Sequence, residues 1–293
     1  MVQAEVQSLQ RFHPDYFLQR FTSEPLSFQP GQFVMVKPSG SLDPFLPRAY
    51  SILRVRRPSS RKSGHVVEIL YKVMGKGSTA LSHLKPRDRV DLLGPLGNAY
   101  HVPPSLTTAL LVAGGIGVPP VVALAEMLAR SQFMSRRPRN GKVGRRKMIA
   151  FVGGKTSDDI LCLSDFRKAG AKVHVATEDG SLGHRGLVVD LMETYLKLQA
   201  NRQGATIYAC GPHAMLHAVA KIAERFQVPC QVSLEADMAC GFGACMGCVI
   251  PVKQSAVSIK QPAEETWDTD GKRGTYKLCC KDGPAFDAQE IAW

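Results

Sequence analysis

The sequence predicts a multidomain β and α/β protein: an N-terminal antiparallel β-barrel, a doubly wound parallel α/β sheet and a small cysteine-rich C-terminal domain. Apolar segments change character near residue 105, from short isolated runs to runs that alternate with helical stretches. Five of the eight cysteines fall between Cys240 and Cys280. A chain of 293 residues has the length of two or three domains. We place their limits at 1–103, 104–234 and 235–293.

The composition excludes several classes of protein. With 44% hydrophobic and 21% charged residues, the chain is not a disordered one. No stretch approaches the roughly 20 apolar residues of a bilayer-spanning helix, and the N-terminus lacks the apolar core of a secretory signal. We therefore predict a cytoplasmic protein, in which thiols stay reduced and serve as ligands, reactive groups or small buried side chains.

The net charge of +12 comes from two stretches without acidic residues. Five basic side chains lie in 54–62 and eight in 130–147. Both stretches contain the Pro, Ser, Gly or Asn typical of surface loops, and they carry almost no aromatic residues that could stack on bases. We predict solvated loops, with an acidic protein partner as the alternative, and expect no nucleic acid and no membrane surface as partner.

The first 103 residues are predicted to be all β. Their short apolar segments are separated by Pro, Gly and Ser, as in a small antiparallel barrel or sandwich. The segments are GQFVMVKP, AYSILRV, HVVEILYKV and DRVDLLGP.

The next segment predicts a parallel sheet, because five strand-like runs alternate with stretches long enough for helices. The strand runs are TTALLVA, MIAFVGG, AKVHVAT, ATIYACG and CQVSLEA. The helical stretches are PPVVALAEMLARS, DDILCLSDFRKAG, LVVDLMETYLKLQA and AMLHAVAKIAERF.

The C-terminal cysteines have the spacing of metal ligands. Cys240, Cys245 and Cys248 form C-x4-C-x2-C, the spacing of plant-type [2Fe-2S] clusters. Zinc is the competing metal, but structural zinc sites more often use two C-x2-C pairs. Cys279 and Cys280 both offer a fourth thiolate, and local spacing does not choose between them. Cys162 and Cys230 lie in apolar runs outside this spacing, so we predict that both are small buried side chains.

Two motifs of the barrel suit a dinucleotide. Arg48-Ala49-Tyr50-Ser51 brings a cation, an aromatic ring and a hydroxyl to the start of a strand. Its companion is Gly75-Lys76-Gly77-Ser78-Thr79, where glycines and hydroxyls at a helix start suit a pyrophosphate bound by backbone N–H groups. Taken alone, the two are equally compatible with unrelated loops.

Two glycine turns of the parallel sheet suit a second nucleotide. Gly114-Gly115-Ile116-Gly117 follows the first strand, and Cys210-Gly211-Pro212 follows the fourth, so both turns belong to the carboxyl edge. After the third strand come Glu178 and Asp179, whose carboxylates suit ribose hydroxyls and repel a 2′-phosphate. The sequence therefore favours NAD over NADP.

Taken together, the motifs above, Gly94-Pro95-Leu96-Gly97 and the cysteine run resemble the ferredoxin reductase superfamily. SLEADMACGFGACMGC and CCKDGPAF are similar to the electron-transfer subunits of NAD-linked (type B) dihydroorotate dehydrogenase. This resemblance implies FAD on the barrel, NAD on the α/β sheet and a [2Fe-2S] cluster at the C-terminus. It further implies that Arg48, Ala49, Tyr50 and Ser51 and the strand Leu70, Tyr71 and Lys72 adjoin the flavin. By the same resemblance, the FAD pyrophosphate is bound by Gly75, Gly77 and Ser78. The fourth cluster ligand is Cys280, which lies directly before x-D-G-P.

The function implied by the resemblance is electron transfer between NAD(H), FAD, the cluster and a separate FMN-containing catalytic subunit, as part of a heterotetramer in pyrimidine biosynthesis. In such a conduit no side chain need act as nucleophile or general base. The alternative is an NAD(P)H-oxidising reductase subunit of another complex, such as a hydrogenase or ferredoxin-linked oxidoreductase. The chain departs from the pattern in its basic insert at 136–147, its long spacer between Cys248 and Cys280, and Tyr50 where a smaller apolar residue is common. We expect electrons to leave at the cluster and not at the insert.

Overall fold

The computed structural model describes residues 1–13, 15–57, 64–131, 146–253, 266–267 and 273–293. Most of the two basic stretches, and much of the polar segment before the last two cysteines, lie outside the described residues. The chain divides into two compact units. The first comprises Met1–Ala99, Glu235–Ile250 and Ala263–Pro284, and the second comprises Tyr100–Leu234, Pro251–Pro262 and Ala285–Trp293. The limits of the three predicted domains stay a prediction.

Six antiparallel strands form a closed barrel in the first unit, in the order β1-β2-β5-β4-β3-β6. They are β1 (Val2–His13), β2 (Tyr16–Ser23), β3 (Phe33–Pro38), β4 (Arg48–Arg56), β5 (His65–Lys72) and β6 (Arg89–Leu96). Alternate residues of these strands fill the interior, as the pleat requires. Four strands match the predicted segments. The other two, β1 and β2, are not among the predicted segments. In β1 only two side chains are buried, Ala4 and Val6, and their neighbours are polar.

One helix corrects the expectation that residues 1–103 are all β. This helix, α1 (Lys76–Ser82), follows β5 and begins within the Gly75–Thr79 motif. Its buried Leu81 packs with the barrel core. The segment is too short to show a helical period, so only its glycine and hydroxyl start could indicate it in the sequence.

The second unit contains the predicted parallel sheet. Its strands are β7 (Thr108–Gly114), β8 (Lys147–Gly154), β9 (Lys172–Thr177), β10 (His184–Arg185), β11 (Ala205–Cys210) and β12 (Cys230–Ser233). The helices are α2 (Val118–Arg130), α3 (Leu163–Lys168), α4 (Val188–Leu198) and α5 (His213–Arg225). The second predicted helical stretch, DDILCLSDFRKAG, forms only the short α3, since Cys162, directly before it, adopts a left-handed φ of 58°. The central strands are buried almost throughout, as strands covered on both faces are.

The strand order of this sheet places a switch point between β7 and β11. The order is β10-β9-β8-β7-β11-β12, so the chain builds outward from β7 first on one side and then on the other. In open α/β sheets, ligands bind outside the carboxyl ends of the strands at such a point. Beyond β12 the sheet gains an antiparallel edge strand, β16 (Ala285–Asp287), which the sequence did not indicate.

The C-terminal region adds short elements. They are β13 (Val249–Val252), β14 (Thr266–Trp267), β15 (Arg273–Leu278), α6 (Cys279–Asp282) and β16 (Ala285–Asp287). The first three form a small sheet in the order β13-β15-β14. In the portion of the chain that the structure describes, no helix combines the length and the apolar character needed to cross a membrane.

Candidate cofactor sites

The cysteine loop, residues 240–248, folds onto the barrel. Gly241 has a left-handed φ of 83°, and a Cβ built on it would lie 2.5 Å from Cγ of Met35 on β3 and 3.0 Å from Cδ1 of Leu96 on β6. Gly243 is also left-handed, with φ at 90°. These conformations are open to glycine and strained for other residues, so the loop can turn twice within four residues and press its backbone against the strands.

Backbone N–H groups of this loop converge on the Cys240 thiol. The Cys245 N–H donates to Cys240 Sγ at 3.5 Å. Partial burial opposes ionisation, but the N–H groups of Cys245, Phe242 and Ala244 outweigh it and lower the pKa of Cys240 to about 6. Metals bind the thiolate, so the loop stabilises the ligand form of this cysteine.

The other predicted ligands lie close to one another. Cys248 and Cys280 are buried, and the Cys280 N–H donates to Cys248 Sγ at 3.4 Å. Burial raises the pKa of Cys280 to about 12, and the hydrogen bond and charge of Cys248 and the charge of Cys240 add to this rise. Cys245 is exposed. Cys280 thus interacts with two thiols of the loop.

The neighbouring Cys279 has different surroundings. It is fully buried, and its N–H donates to the Cys248 carbonyl at 2.9 Å. Burial raises its pKa to about 12, followed by the charges of Cys248, Cys280 and Glu235, and Cys240 is not among them. Of the two, Cys280 is the one whose N–H donates to a ligand sulfur, Cys248 Sγ, whereas the Cys279 N–H donates to a backbone carbonyl, which favours Cys280 as the fourth ligand.

The donor set fits an iron–sulfur cluster in its chemistry. All four groups are thiols, as plant-type [2Fe-2S] clusters require. Within the described ranges, no three Cys, His, Asp or Glu side chains are already arranged around one position for a single metal ion. For a cluster, the cysteine loop supplies three of the thiol ligands and the N–H groups that donate to sulfur.

The two barrel motifs lie next to each other. The Arg48 side chain runs across Gly77, where a built Cβ would lie 2.8 Å from Cγ and 3.0 Å from Nε of the arginine. Arg48 Nη1 donates to the carbonyls of Leu46 at 2.8 Å and Pro47 at 3.3 Å, and the side chain remains exposed. Beside it, Lys76 of α1 is paired with Asp43. A guanidinium and the glycine backbone of 75–77 therefore face one region, as a pyrophosphate site needs.

Ser78 has a structural task at the same place. Its hydroxyl accepts the N–H groups of Met74 at 2.9 Å and Gly75 at 3.2 Å and donates to the Gly75 carbonyl at 2.9 Å. The hydroxyl therefore closes the turn that starts α1, which leaves the backbone N–H groups of this segment as the donors for a phosphate.

The strand predicted to adjoin the flavin exposes little side chain. Leu70 and Tyr71 are buried, and Lys72 places Nζ 4.9 Å from the centre of the Tyr16 ring. A flavin could meet the backbone of 70–72 but not the Tyr71 ring. Tyr50 is half-buried, and its ring centre lies 5.3 Å from that of Tyr71. On β4, Ala49 and Ser51 are partly accessible on either side of Tyr50.

The two glycine turns, 114–117 and 210–212, meet at the switch point. Ala113 pairs with Cys210 in the sheet. A Cβ built on Gly117 would lie 2.5 Å from the carbonyl carbon and oxygen of Cys210, so only glycine fits there. Gly114 and Gly211 pack against the Met215 side chain in the same way. The structure thus joins two motifs that are nearly 100 residues apart into one glycine-lined edge.

The acidic turn lies two strands away from these glycines, after β9. Glu178 is exposed. The Asp179 carboxylate accepts the N–H of Ser181 at 2.9 Å and its hydroxyl at 2.6 Å, and these hydrogen bonds lower the pKa of Asp179. The Asp179 carboxylate thus stabilises its own turn. The exposed Glu178 carboxylate is therefore the better placed of the two to bind a ligand.

Sequence reasoning missed a basic residue beside this turn. Arg185 of β10 packs along Gly180, with three of its side-chain carbons 3.1 Å from a built Cβ. The residue pairs with Thr177 at the end of β9. Only the pairing of a two-residue strand brings this cation to the acidic turn, so no periodic pattern could have indicated it.

Two family models match the chain. Residues 111–221 match the oxidoreductase NAD-binding domain, and residues 235–261 match the iron–sulfur cluster binding domain of dihydroorotate dehydrogenase B. The first range contains both glycine turns and the acidic turn. The second contains the cysteine loop.

Solved structures share the fold. The chain superposes on the NADH-dependent reduced ferredoxin-NADP oxidoreductase with a TM-score of 0.75 and 24% identity, covering 100% of this chain and 91% of that one. It also matches a ferredoxin reductase of carbazole 1,9a-dioxygenase, with a TM-score of 0.62 and 23% identity over 78% and 66% of the two chains. The barrel, the nucleotide-type sheet and the cysteine loop therefore define an iron–sulfur oxidoreductase of the ferredoxin reductase class.

Curated relatives identify the family within that class. The electron transfer subunit of dihydroorotate dehydrogenase B (NAD(+)) from Bacillus caldolyticus is 38% identical over 90% of this chain and 86% of its own length. The subunit from Desulforamulus reducens is 33% identical over 90% and 87%. The chain belongs to the family of electron transfer subunits of dihydroorotate dehydrogenase B (NAD(+)).

This membership confirms the predicted fold class, the electron-transfer function and the cofactors FAD, NAD and a [2Fe-2S] cluster. It favours the dihydroorotate family over the hydrogenase or ferredoxin-linked alternative. An electron transfer subunit implies a separate catalytic partner. The comparisons concern whole domains, so the individual site residues stay predictions.

Proposed function

We propose that the chain conducts electrons between NAD(H) and an FMN-containing dihydroorotate dehydrogenase subunit in the cytoplasm, as part of a heterotetramer. When bound, FAD exchanges a hydride with the nicotinamide and single electrons with the cluster. The residues of the chain bind and orient these groups, and none acts as nucleophile or general base. The eight cysteines all lie in the described part of the chain and none forms a disulfide, which suits a reducing compartment.

The observation that carries the proposal is the union of the cysteine loop with the barrel in one compact unit. Besides the contacts of Gly241, the Asn98 N–H donates to the Gly283 carbonyl, and its side chain donates to the Asp282 carbonyl at 2.8 Å. A Cβ on Gly97 would lie 2.6 Å from Pro284. Both cysteine segments are thus anchored to the end of β6. A cluster held there would lie in the same compact unit as the proposed flavin site.

We assign the flavin to the segments that flank Gly77. Arg48 supplies a cation for the pyrophosphate, and the backbone N–H groups of Gly77 and Ser78 supply donors, with the Gly75 backbone beside them. Tyr50 lies against the flavin, with Ala49 and Ser51 beside it. The backbone of Leu70, Tyr71 and Lys72 forms the adjoining edge.

We assign the cluster to Cys240, Cys245, Cys248 and Cys280. The N–H groups that stabilise the Cys240 thiolate tune the potential of a cluster, because hydrogen bonds to sulfur do so in other iron–sulfur proteins. Cys245 is the exposed ligand, so its side of the loop is where electrons pass to or from the partner.

We assign the nicotinamide nucleotide to the carboxyl edge of the sheet. The backbone of Gly114, Gly115, Gly117 and of Cys210, Gly211, Pro212 forms a glycine-lined edge that a dinucleotide can approach closely. Glu178, with Asp179 behind it, receives the ribose hydroxyls.

The experiment begins with anaerobic purification and identification of the protein that co-purifies. The chain should carry FAD and about two irons, as the cluster type requires. NADH should bleach the flavin and cluster absorbance, and dihydroorotate should do so only after the partner is added. A zinc-bound chain, or an FMN-free partner that does not act on dihydroorotate, would refute the proposal.

A further inference from the structure

A buried glutamine lies inside the barrel. Gln19 of β2 alternates with Phe17 and Phe21, which point into the apolar core, and it is 0% exposed. A buried amide is unfavourable unless its polar atoms are hydrogen-bonded. Gln19 therefore needs partners within the barrel wall, and the identity of those partners indicates its task.

The two ends of the Gln19 amide join two segments of the flavin site. Nε2 donates to the carbonyl of Leu81, in the last turn of α1, at 3.3 Å. Oε1 accepts the hydroxyl of Tyr71, on β5, at 3.1 Å. Both side chains in this chain of bonds are buried. The orientation of Tyr71 is thereby tied to the position of α1.

Tyr71 in turn packs against Tyr50. The ring centres are 5.3 Å apart at an interplanar angle of 56°, and Phe17 stacks on Tyr71 with ring centres 5.9 Å apart. Tyr50 is half-buried, so one part of its ring is packed and another part is accessible. A continuous line of contacts thus runs from the Leu81 carbonyl through Gln19 and Tyr71 to Tyr50.

We propose that Gln19 is a positioning residue for FAD, which it does not touch. It holds Tyr71, and through it the ring of Tyr50, in register with α1, so that the flavin and pyrophosphate ends of the site are preorganised together. This inference rests on the proposed flavin site. Binding groups held by packed and hydrogen-bonded neighbours lose less entropy when the ligand binds.

The test separates positioning from stability. Gln19→Leu leaves the Tyr71 hydroxyl and the Leu81 carbonyl without this partner, so we expect a lower melting temperature of the apoprotein. Adding Tyr71→Phe removes the unsatisfied hydroxyl, so the double variant should regain most of that loss. The matched control is Ser23→Ala, which deletes another side-chain hydrogen bond of β2, the partly buried one from Ser23 Oγ to the Glu24 carbonyl, away from Tyr71.

The readouts are the FAD dissociation constant of the reconstituted apoprotein and the visible circular dichroism of the bound flavin. We expect the double variant and Tyr71→Phe each to bind FAD about tenfold more weakly, about 1.4 kcal/mol, with an altered flavin spectrum. Ser23→Ala should match the wild type in both. Wild-type affinity and spectrum in the double variant and in Tyr71→Phe would overturn the inference. A wild-type chain that does not bind FAD would refute the proposed function instead.

Discussion

The cysteine loop and the two glycine turns present their binding groups in opposite ways. The loop offers thiols, one of them exposed, on a backbone turned by two left-handed glycines. The glycine turns offer backbone alone and are held by direct packing, with Gly117 pressed against the Cys210 carbonyl. A site built from side chains should lose its ligand when one side chain is removed and keep its fold. A site built from packed backbone should lose stability and ligand together.

The largest expected effect is that of Cys245→Ala on the loop. Removing an exposed ligand should abolish the cluster, so iron should fall from about two per chain to near zero. Flavin reduction by NADH and transfer to a flavin-reactive dye should persist, whereas transfer to the partner should stop. Iron analysis and coupled turnover measure this, with Cys162→Ala as the control that keeps its iron. A Cys245→Ala chain that still feeds the partner would place the electron exit elsewhere.

A second prediction asks which of the adjacent cysteines, Cys279 or Cys280, is the fourth cluster ligand. We expect Cys280→Ala to lose the cluster absorbance and Cys279→Ala to keep most of it, because Cys280 is the cysteine whose N–H donates to the Cys248 thiol. Cys279→Ala should instead cost stability, since it empties a buried position. Visible spectra and thermal unfolding of both variants decide the assignment, which is wrong if the two spectra are exchanged.

For the glycine turns, Gly117→Ala is the matching experiment. The added methyl group would collide with backbone at 2.5 Å, so we expect about 3 kcal/mol of destabilisation together with lost NADH binding. Gly115→Ala is the control in the same turn. Its Cβ meets no atom within 4 Å, and the left-handed φ of 51° alone should cost about 1 kcal/mol.

Urea unfolding gives the two free energies of unfolding, and quenching of protein fluorescence gives NADH affinity. Equal losses of stability in the two variants would mean that the backbone shifts to accept a methyl group at Gly117 without cost. The glycine turns would then not depend on close packing, which contradicts the difference from the cysteine loop.

The smallest expected effect concerns the choice of nucleotide. We expect NADH to be preferred over NADPH by about tenfold, or about 1.4 kcal/mol, because Glu178 repels a 2′-phosphate. Glu178→Ala should narrow the preference. Arg185→Ala should increase the preference for NADH, since Arg185, beside Gly180, is a cation that the 2′-phosphate of NADPH would contact. Stopped-flow flavin reduction with each nucleotide measures both, and tighter or faster NADPH reduction in the wild type would contradict the prediction.

Several features could be read from the sequence because they depend on the identity or order of side chains. Four thiols at a characteristic spacing indicated the cluster. Apolar runs such as 107–113 and 148–154 indicated buried parallel strands, because a strand covered on both faces has no polar alternation. The alternation of strands and helices then determined a doubly wound sheet. These are local patterns, and burial or ligand chemistry imposes them directly.

Other features depended on which distant segments meet. Spacing alone does not separate Cys279 from Cys280; the family resemblance points to Cys280, and the fold adds a hydrogen bond from its N–H to the Cys248 thiol. Gln19 has no local signal at all, since a glutamine among aromatic residues is ordinary until Tyr71 and Leu81 are brought to its two ends. Arg185 likewise reaches the acidic turn only through the pairing of β10 with β9. Side-chain chemistry can be read residue by residue in the sequence. The partners of Gln19 lie more than 50 residues away in the chain and those of Arg185 depend on strand pairing, so tertiary structure decided these contacts.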